Sequence, residues 1–238
     1  MRGAQAEGPV DRPQQPGSRT ERRTLPFWQE VVLLLGIALL LAVAVKALFL
    51  QAFYIPSGSM EDTLVFDDRI LVQKVSYWAD GTPRRGDVVV FADPGGWLGV
   101  QGAAGPASPA AKVLEVFGLY PTGGHLVKRV IGVGGDTVAC CDERGRLSVN
   151  GVPLEEESYL RTGEAPSQVE FETEVEADHL WVMGDNRSSS ADSRVHLGDP
   201  GGGQVPVEDV VGKVFSVVWP LGHATLLDRP QTFESLEE

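Results

Sequence analysis

From Val31 to Leu50 every position is apolar except Lys46, and this run of 20 residues is long enough for one helical crossing of a hydrocarbon core. Beyond it the pattern changes period. Short runs, β-branched and partly alternating, cover Arg69–Val75, Asp87–Phe91, His125–Val133, Thr137–Ala139, Arg146–Val149, Val169–Val175, His179–Met183 and Val211–Trp219. Turn signals such as Gly81-Thr82-Pro83, Gly134-Gly135-Asp136 and Asn150-Gly151 separate them. The pattern predicts a single N-terminal transmembrane helix followed by a mainly β domain.

Boundaries follow from the same reading. Residues 1–26, rich in Arg, Pro, Gln and Gly with little to bury, are expected to be a disordered tail. The helix is placed over 27–52, the β domain over 53–224 and a polar C-terminal tail over 225–238. Within the β domain, 94–124 turns Gly-, Ala- and Pro-rich and reads as a loop insertion with one short helix, Ala110–Phe117. The acidic, hairpin-like stretch 138–180 reads as a small second lobe.

Composition narrows the classes of function. At 238 residues and 42% hydrophobic the chain can bury one ordinary core, or two lobes sharing a sheet. A net charge of −13 argues against nucleic acid as a partner, since phosphate binding needs clustered Lys and Arg. Five arginines precede the apolar run, so the positive-inside rule predicts a cytoplasmic N-terminus and a translocated β domain. The rival is a cleaved secretory signal, whose apolar region normally spans roughly 7–15 residues. This run is longer, and its small-x-small candidate, Ala42-Val43-Ala44, lies inside it. Lys46 is placed to snorkel, and Trp28, Phe49, Phe53 and Tyr54 suit an interface. Adjacent Cys140 and Cys141 on a strand would face opposite ways, so two separate buried or half-buried side chains are expected, with a vicinal or intermolecular disulfide as the alternative.

Three segments carry the chemistry: Ile55-Pro56-Ser57-Gly58-Ser59-Met60, Leu126-Val127-Lys128-Arg129-Val130-Ile131-Gly132, and Gly184-Asp185-Asn186-Arg187-Ser188-Ser189-Ser190-Ala191-Asp192-Ser193-Arg194. With Arg85-Gly86-Asp87 and Gly135-Asp136 they resemble, in order and spacing over residues 28–220, the type I signal peptidases. The Gly, Ala, Pro and Arg richness resembles that of proteins from high-GC, actinobacterial-like bacteria, and such a source is expected.

A serine hydroxyl needs a base to become a nucleophile, and lysine serves only when neutral near the working pH. Burial on an apolar strand supplies that condition. The resemblance implies a serine endopeptidase with Ser59 as nucleophile and Lys128 as general base, needing no metal or cofactor. It assigns the oxyanion to the Ser59 N–H and the Ser57 hydroxyl, a hydrogen bond to the lysine to Ser190, and a supporting ion pair to Asp192 and Arg194. Gly184 and Asn186 belong to the same turn. A Ser-His-Asp arrangement is the competing layout, yet His125, His179, His196 and His223 sit in no motif with an acid partner, and His125 should face away from Lys128.

The resemblance further implies an extended peptide held between Phe53–Ser57 and Leu126–Lys128. Ile55, Pro56, Met60, Leu64 and Val127 would wall shallow apolar pockets, with Phe53 near the deeper one. Such pockets fit small residues at the first and third positions before the cut, as in the signal peptides of exported preproteins. The expected location is a bacterial plasma membrane, crossed once, with the catalytic domain outside. Membrane lipid is then a second partner, and Phe49–Ile55 with Trp97-Leu98 a candidate membrane-facing patch. A self-cleaving repressor would need a DNA-binding module that the first 26 residues lack. The alternative from another class is a catalytically silent, membrane-anchored β scaffold that binds exported peptides. Two departures from the family pattern, Asp62 where many relatives carry Pro and Ser188 where Asp is common, bear on the rigidity of their turns.

Overall fold

A computed structural model describes residues 26–77, 81–99 and 124–236, in two compact units that divide after Leu41. The expected tail, apart from Pro26, the short helix Ala110–Phe117 and most of the 94–124 insertion lie outside the described residues. Helix α1 covers Phe27–Phe49, with Glu30 in its first turn where the helix dipole favours an acid. Its large apolar side chains from Phe27 to Val43 are exposed around the whole circumference, a surface suited to hydrocarbon, and the helix is long and apolar enough to cross a membrane. The side chain of Lys46 lies outside the described residues. The helix ends three residues before the expected Ala52, because the apolar run passes without interruption into a strand and hydrophobicity alone does not mark that change.

Twelve strands follow: β1 (Leu50–Tyr54), β2 (Arg69–Gln73), β3 (Val88–Ala92), β4 (His125–Val133), β5 (Thr137–Cys140), β6 (Leu147–Val149), β7 (Val152–Pro153), β8 (Phe171–Glu174), β9 (His179–Met183), β10 (Val205–Pro206), β11 (Val210–Trp219) and β12 (Thr225–Leu226). An eight-stranded sheet runs β1-β2-β11-β3-β4-β9-β10, with β12 beside β11, and every adjacent pair whose register is resolved is antiparallel. The second sheet, β7-β6-β5-β8, occupies the stretch expected as a small lobe.

Strand alternation sorts the side chains into cores. On β9, Leu180 and Val182 join Val89, Phe91 and Val130, whereas Trp181 and Met183 point the other way into the core of the small sheet with Val138, Leu147 and Phe171. On β3, Val88 and Val90 enter a third cluster with Phe53, Ile55, Met60 and Leu64. The second half of β4 is therefore covered on both faces.

Two expectations need correction here. The segment from 225, expected to be a polar tail, contributes β12 and then buries Phe233 completely, stacked on Tyr159 with ring centroids 5.7 Å apart. One aromatic among polar neighbours gives no periodic signal of docking. Gly86 makes room for it: at φ 87° it takes a backbone form that suits glycine, and a Cβ there would come within 2.6 Å of the Phe233 ring. Cys140 and Cys141 are joined in a vicinal disulfide rather than separate. β5 ends at Cys140, so the alternation that keeps strand neighbours apart no longer governs Cys141.

Candidate active site

Beyond β1 the chain passes through Ile55-Pro56-Ser57 and folds into a tight turn, in which the N–H groups of Thr63 and Leu64 donate to the Met60 carbonyl at 3.0 and 2.7 Å. Met60 and Leu64 anchor that turn in the core and leave Ser59 at its rim, 7% exposed. Lys128 reaches it from β4, where residue 128 pairs with Val89. Its Nζ donates to Ser59 Oγ at 2.8 Å. The amine is 4% exposed, and burial lowers its pKa to about 8 against the pull of Asp192 and Asp185, with Arg194 lowering it further. Among the described residues no carboxylate forms an ion pair with it. An amine so placed can take a proton from the serine. Ser57 Oγ, on the exposed side, lies 3.3 Å from Ser59 Oγ.

The loop after β9 holds this turn from behind. Asn186 donates its backbone N–H to the Ser59 carbonyl at 3.0 Å and its side-chain Nδ2 to the Gly58 carbonyl at 2.9 Å. Gly184 donates to Asp192 Oδ2 at 3.0 Å, and the same carboxylate takes two bonds from Arg194, at 2.9 and 2.8 Å. Burial opposes the Asp192 charge, yet Arg194 and Gly184 hold its carboxyl below the ordinary value. Gly184 is squeezed between Ser190 and Ser59, where a Cβ would stand 2.5 Å from the Ser59 carbonyl oxygen. Ser190 Oγ is buried beside Asp192, and the expected bond to Lys128 is not formed; the Nζ is turned onto Ser59 instead.

The opposite face of β4 carries Arg129. Its guanidinium grips Asp185 with two bonds of 2.9 and 2.6 Å, donates to the Gly86 carbonyl at 2.9 Å and lies 4.4 Å from the centre of the Tyr159 ring. Thr63 donates to Asp185 at 2.6 Å, tying the serine turn to the same carboxylate. Arg187, fully buried, pairs with Glu156 at 2.5 Å and donates to the Gly184 carbonyl at 2.9 Å.

A cleft of about 230 Å³ opens beside the serine and lysine, between β1 and the first half of β4. Phe53, Ile55, Pro56, Met60 and Val127 are among the residues that line it, together with Leu98, Gly124 and His125. Leu64 does not; it is fully buried beneath the turn, where two apolar neighbours one turn apart cannot both face the cleft. Of the four histidines, His125 is the one that lines the cleft. His125 packs edge-on against Phe53, while His196 and His223 lie against Asp199 and Asp68 at 2.7 and 3.0 Å. Trp97 and Leu98, part of the candidate membrane-facing patch, are half-buried and pack against the Val89–Phe91 cluster.

The family described as "Signal peptidase, peptidase S26" matches residues 28–219. The chain belongs to this signal peptidase family. A probable signal peptidase I of Mycobacterium leprae is 36% identical over 86% of this chain and 80% of its own length. Signal peptidase I of Mycobacterium tuberculosis is 39% identical over 81% of this chain and 72% of its own. A solved structure of a signal peptidase I from Enterococcus faecalis has a TM-score of 0.34 at 25% identity, covering 55% of this chain and 95% of that one. Family membership makes the protein a serine endopeptidase.

Both departures from the family pattern have local compensation. Asp62 sits at φ 75°, which a proline ring cannot reach, and its carboxylate accepts the Thr162 N–H at 3.0 Å. Ser188 is held through its hydroxyl and its N–H by Glu164 at 2.7 and 2.9 Å. Reasoning from the sequence missed the parts played by Arg129, Asp185, Thr63, Glu156, Tyr159 and Arg187. The available signal was an arginine in the middle of an apolar strand, which is buried only with a carboxylate partner.

Proposed function

We propose that this protein is a membrane-anchored signal peptidase I that cuts signal peptides from exported preproteins after small-x-small sequences, with Ser59 as nucleophile and Lys128 as general base. The observation that carries the reading is the 2.8 Å contact between a buried amine, lowered to about pKa 8, and a serine hydroxyl at the end of an apolar cleft. Ser59 Oγ attacks the scissile carbonyl carbon while Lys128 Nζ takes its proton. The resulting oxyanion is met by the Ser59 N–H and the Ser57 hydroxyl. Collapse breaks the C–N bond, and the lysine returns its proton to the leaving amine. Water then hydrolyses the acyl ester by the same proton route, freeing the signal peptide and Ser59.

Sheet topology supports the mode of substrate binding. β9 meets β4 only along Arg129–Val133, so among the described residues no strand pairs with that edge of residues 125–128, and β1 is the outermost described strand of its sheet. An extended peptide can add between these edges through main-chain hydrogen bonds, with alternate side chains entering the cleft. A volume of about 230 Å³ suits small side chains better than large ones. Helix α1 serves as the anchor, with the basic flank on the cytoplasmic side and the catalytic domain outside.

The test is cleavage of a preprotein with an Ala-x-Ala junction by the detergent-solubilised full-length protein, with Ser59→Ala and Lys128→Ala alongside. Cleavage at that junction by the unmodified protein alone is the expected result. Binding without cleavage by folded protein would favour the silent scaffold, and retained turnover by Lys128→Ala would reject the lysine as base.

A further inference from the structure

We propose that Leu98, on the turn leaving β3, is a specificity-determining wall of the cleft that limits the size of the residue third before the cut. The inference rests on the proposed function and adds to it a residue outside all of the segments that resemble the family.

Position along the cleft assigns the subsite. Ala92, at the end of β3, lies opposite His125, three residues before Lys128 on β4. At roughly 3.3 Å per residue that is about 10 Å from the lysine position. A bound strand places its first residue before the cut at the dyad and its third about 7 Å further on. Leu98 lines the cleft together with Phe53, Gly124 and His125, and its turn is pinned to the Gly124 end of β4: the Asp93 N–H donates to the Gly124 carbonyl at 3.1 Å, and the Asp93 carboxylate accepts the Leu98 N–H at 3.1 Å. It therefore meets the third residue and not the first.

The turn is built to hold that side chain still. The Asp93 carboxylate accepts the N–H groups of Gly95, Gly96, Trp97 and Leu98 at 3.2, 2.8, 2.7 and 3.1 Å. Trp97 is clamped edge-on by Phe91, centroids 5.9 Å apart, and stacked on His196 at 4.4 Å with an interplanar angle of 7°. A wall fixed by packing and hydrogen bonds can discriminate by size, because the cleft does not yield to a larger group.

The experiment uses the full-length protein in detergent and preproteins with Ala fixed at the first position and Ala, Val or Leu at the third. Leu98→Ala should lower the preference in kcat/KM for Ala over Leu at the third position about tenfold, and Leu98→Phe should raise it. Opposite shifts cannot arise from general damage to the fold. Selectivity equal to that of the unmodified protein in both variants, while they still cleave Ala-x-Ala, would overturn the inference. So would an equal relaxation at the first position, read from a second set of preproteins with Ala fixed at the third position and Ala, Val or Leu at the first. Failure of the unmodified protein to cleave any of the set would instead defeat the proposed function on which the inference stands.

Discussion

Lys128 and Arg129 are neighbours on one strand, both buried, and the two faces of β4 treat their charges in opposite ways. Arg129 meets Asp185 in a two-pronged ion pair and a tyrosine ring; burial works against its charge, but Asp185 outweighs that and holds its pKa above the ordinary value. Lys128 meets a serine hydroxyl and no paired carboxylate, so burial prevails and its pKa falls to about 8. Burial alone does not decide whether a cation stays charged; the partner within reach does. One face of the strand thus fixes the structure with a permanent charge, and the other keeps an amine able to give up its proton.

The most drastic way to break this contrast is to make the two faces alike. Lys128→Arg places a permanently protonated group against Ser59, and cleavage of an Ala-x-Ala preprotein should drop about 10⁴-fold or more, as for Ser59→Ala. Next in size is Asp185→Ala, which leaves Arg129 buried without its carboxylate. A loss of about 3–5 kcal/mol in unfolding free energy is expected from denaturant titration. Gly184→Ala drives a methyl group toward Ser59 and Ser190, and should cost about 10²-fold in kcat/KM through misplacement of the serine.

The smallest effect has the opposite sign. The folded pKa of Lys128, about 8, lies below its ordinary 10.5, so protonation disfavours the folded state and the full penalty applies below pH 8. Lys128→Met should therefore stabilise the protein by about 2 kcal/mol at neutral pH, after allowance for the lost hydrogen bond to Ser59. That advantage should shrink as the pH rises from 8 through 10.5, because the unfolded chain then loses the proton as well. Unfolding measured at pH 7 and pH 10.5 checks both the sign and the window.

The same contrast shows what the sequence made legible. β4 and β9 lie where expected to the residue, because alternation is strong and glycine-bearing turns bound them. Ser59 and Lys128 stand in contact as their motifs imply, though 69 positions apart. The Arg129–Asp185 pair spans 56 positions and has no periodic signature; only the oddity of an arginine in an apolar strand pointed to it. Two-residue strands such as β7, β10 and β12 are too short to show a period. Phe233 and Trp97 are single aromatics whose burial depends on what folds over them, and that is decided by contacts remote in sequence.

The central claim is that Lys128 acts as a neutral base on Ser59, and the pH dependence of kcat/KM for an Ala-x-Ala preprotein tests it most directly. At pH 7 about one tenth of the lysine is neutral, so the rate should climb roughly tenfold per unit below pH 8 and level off above it. A rising limb centred near 8 is the predicted result. A limb near 6.5, the range of histidine, or a rate flat from pH 6 to 9 would contradict the account.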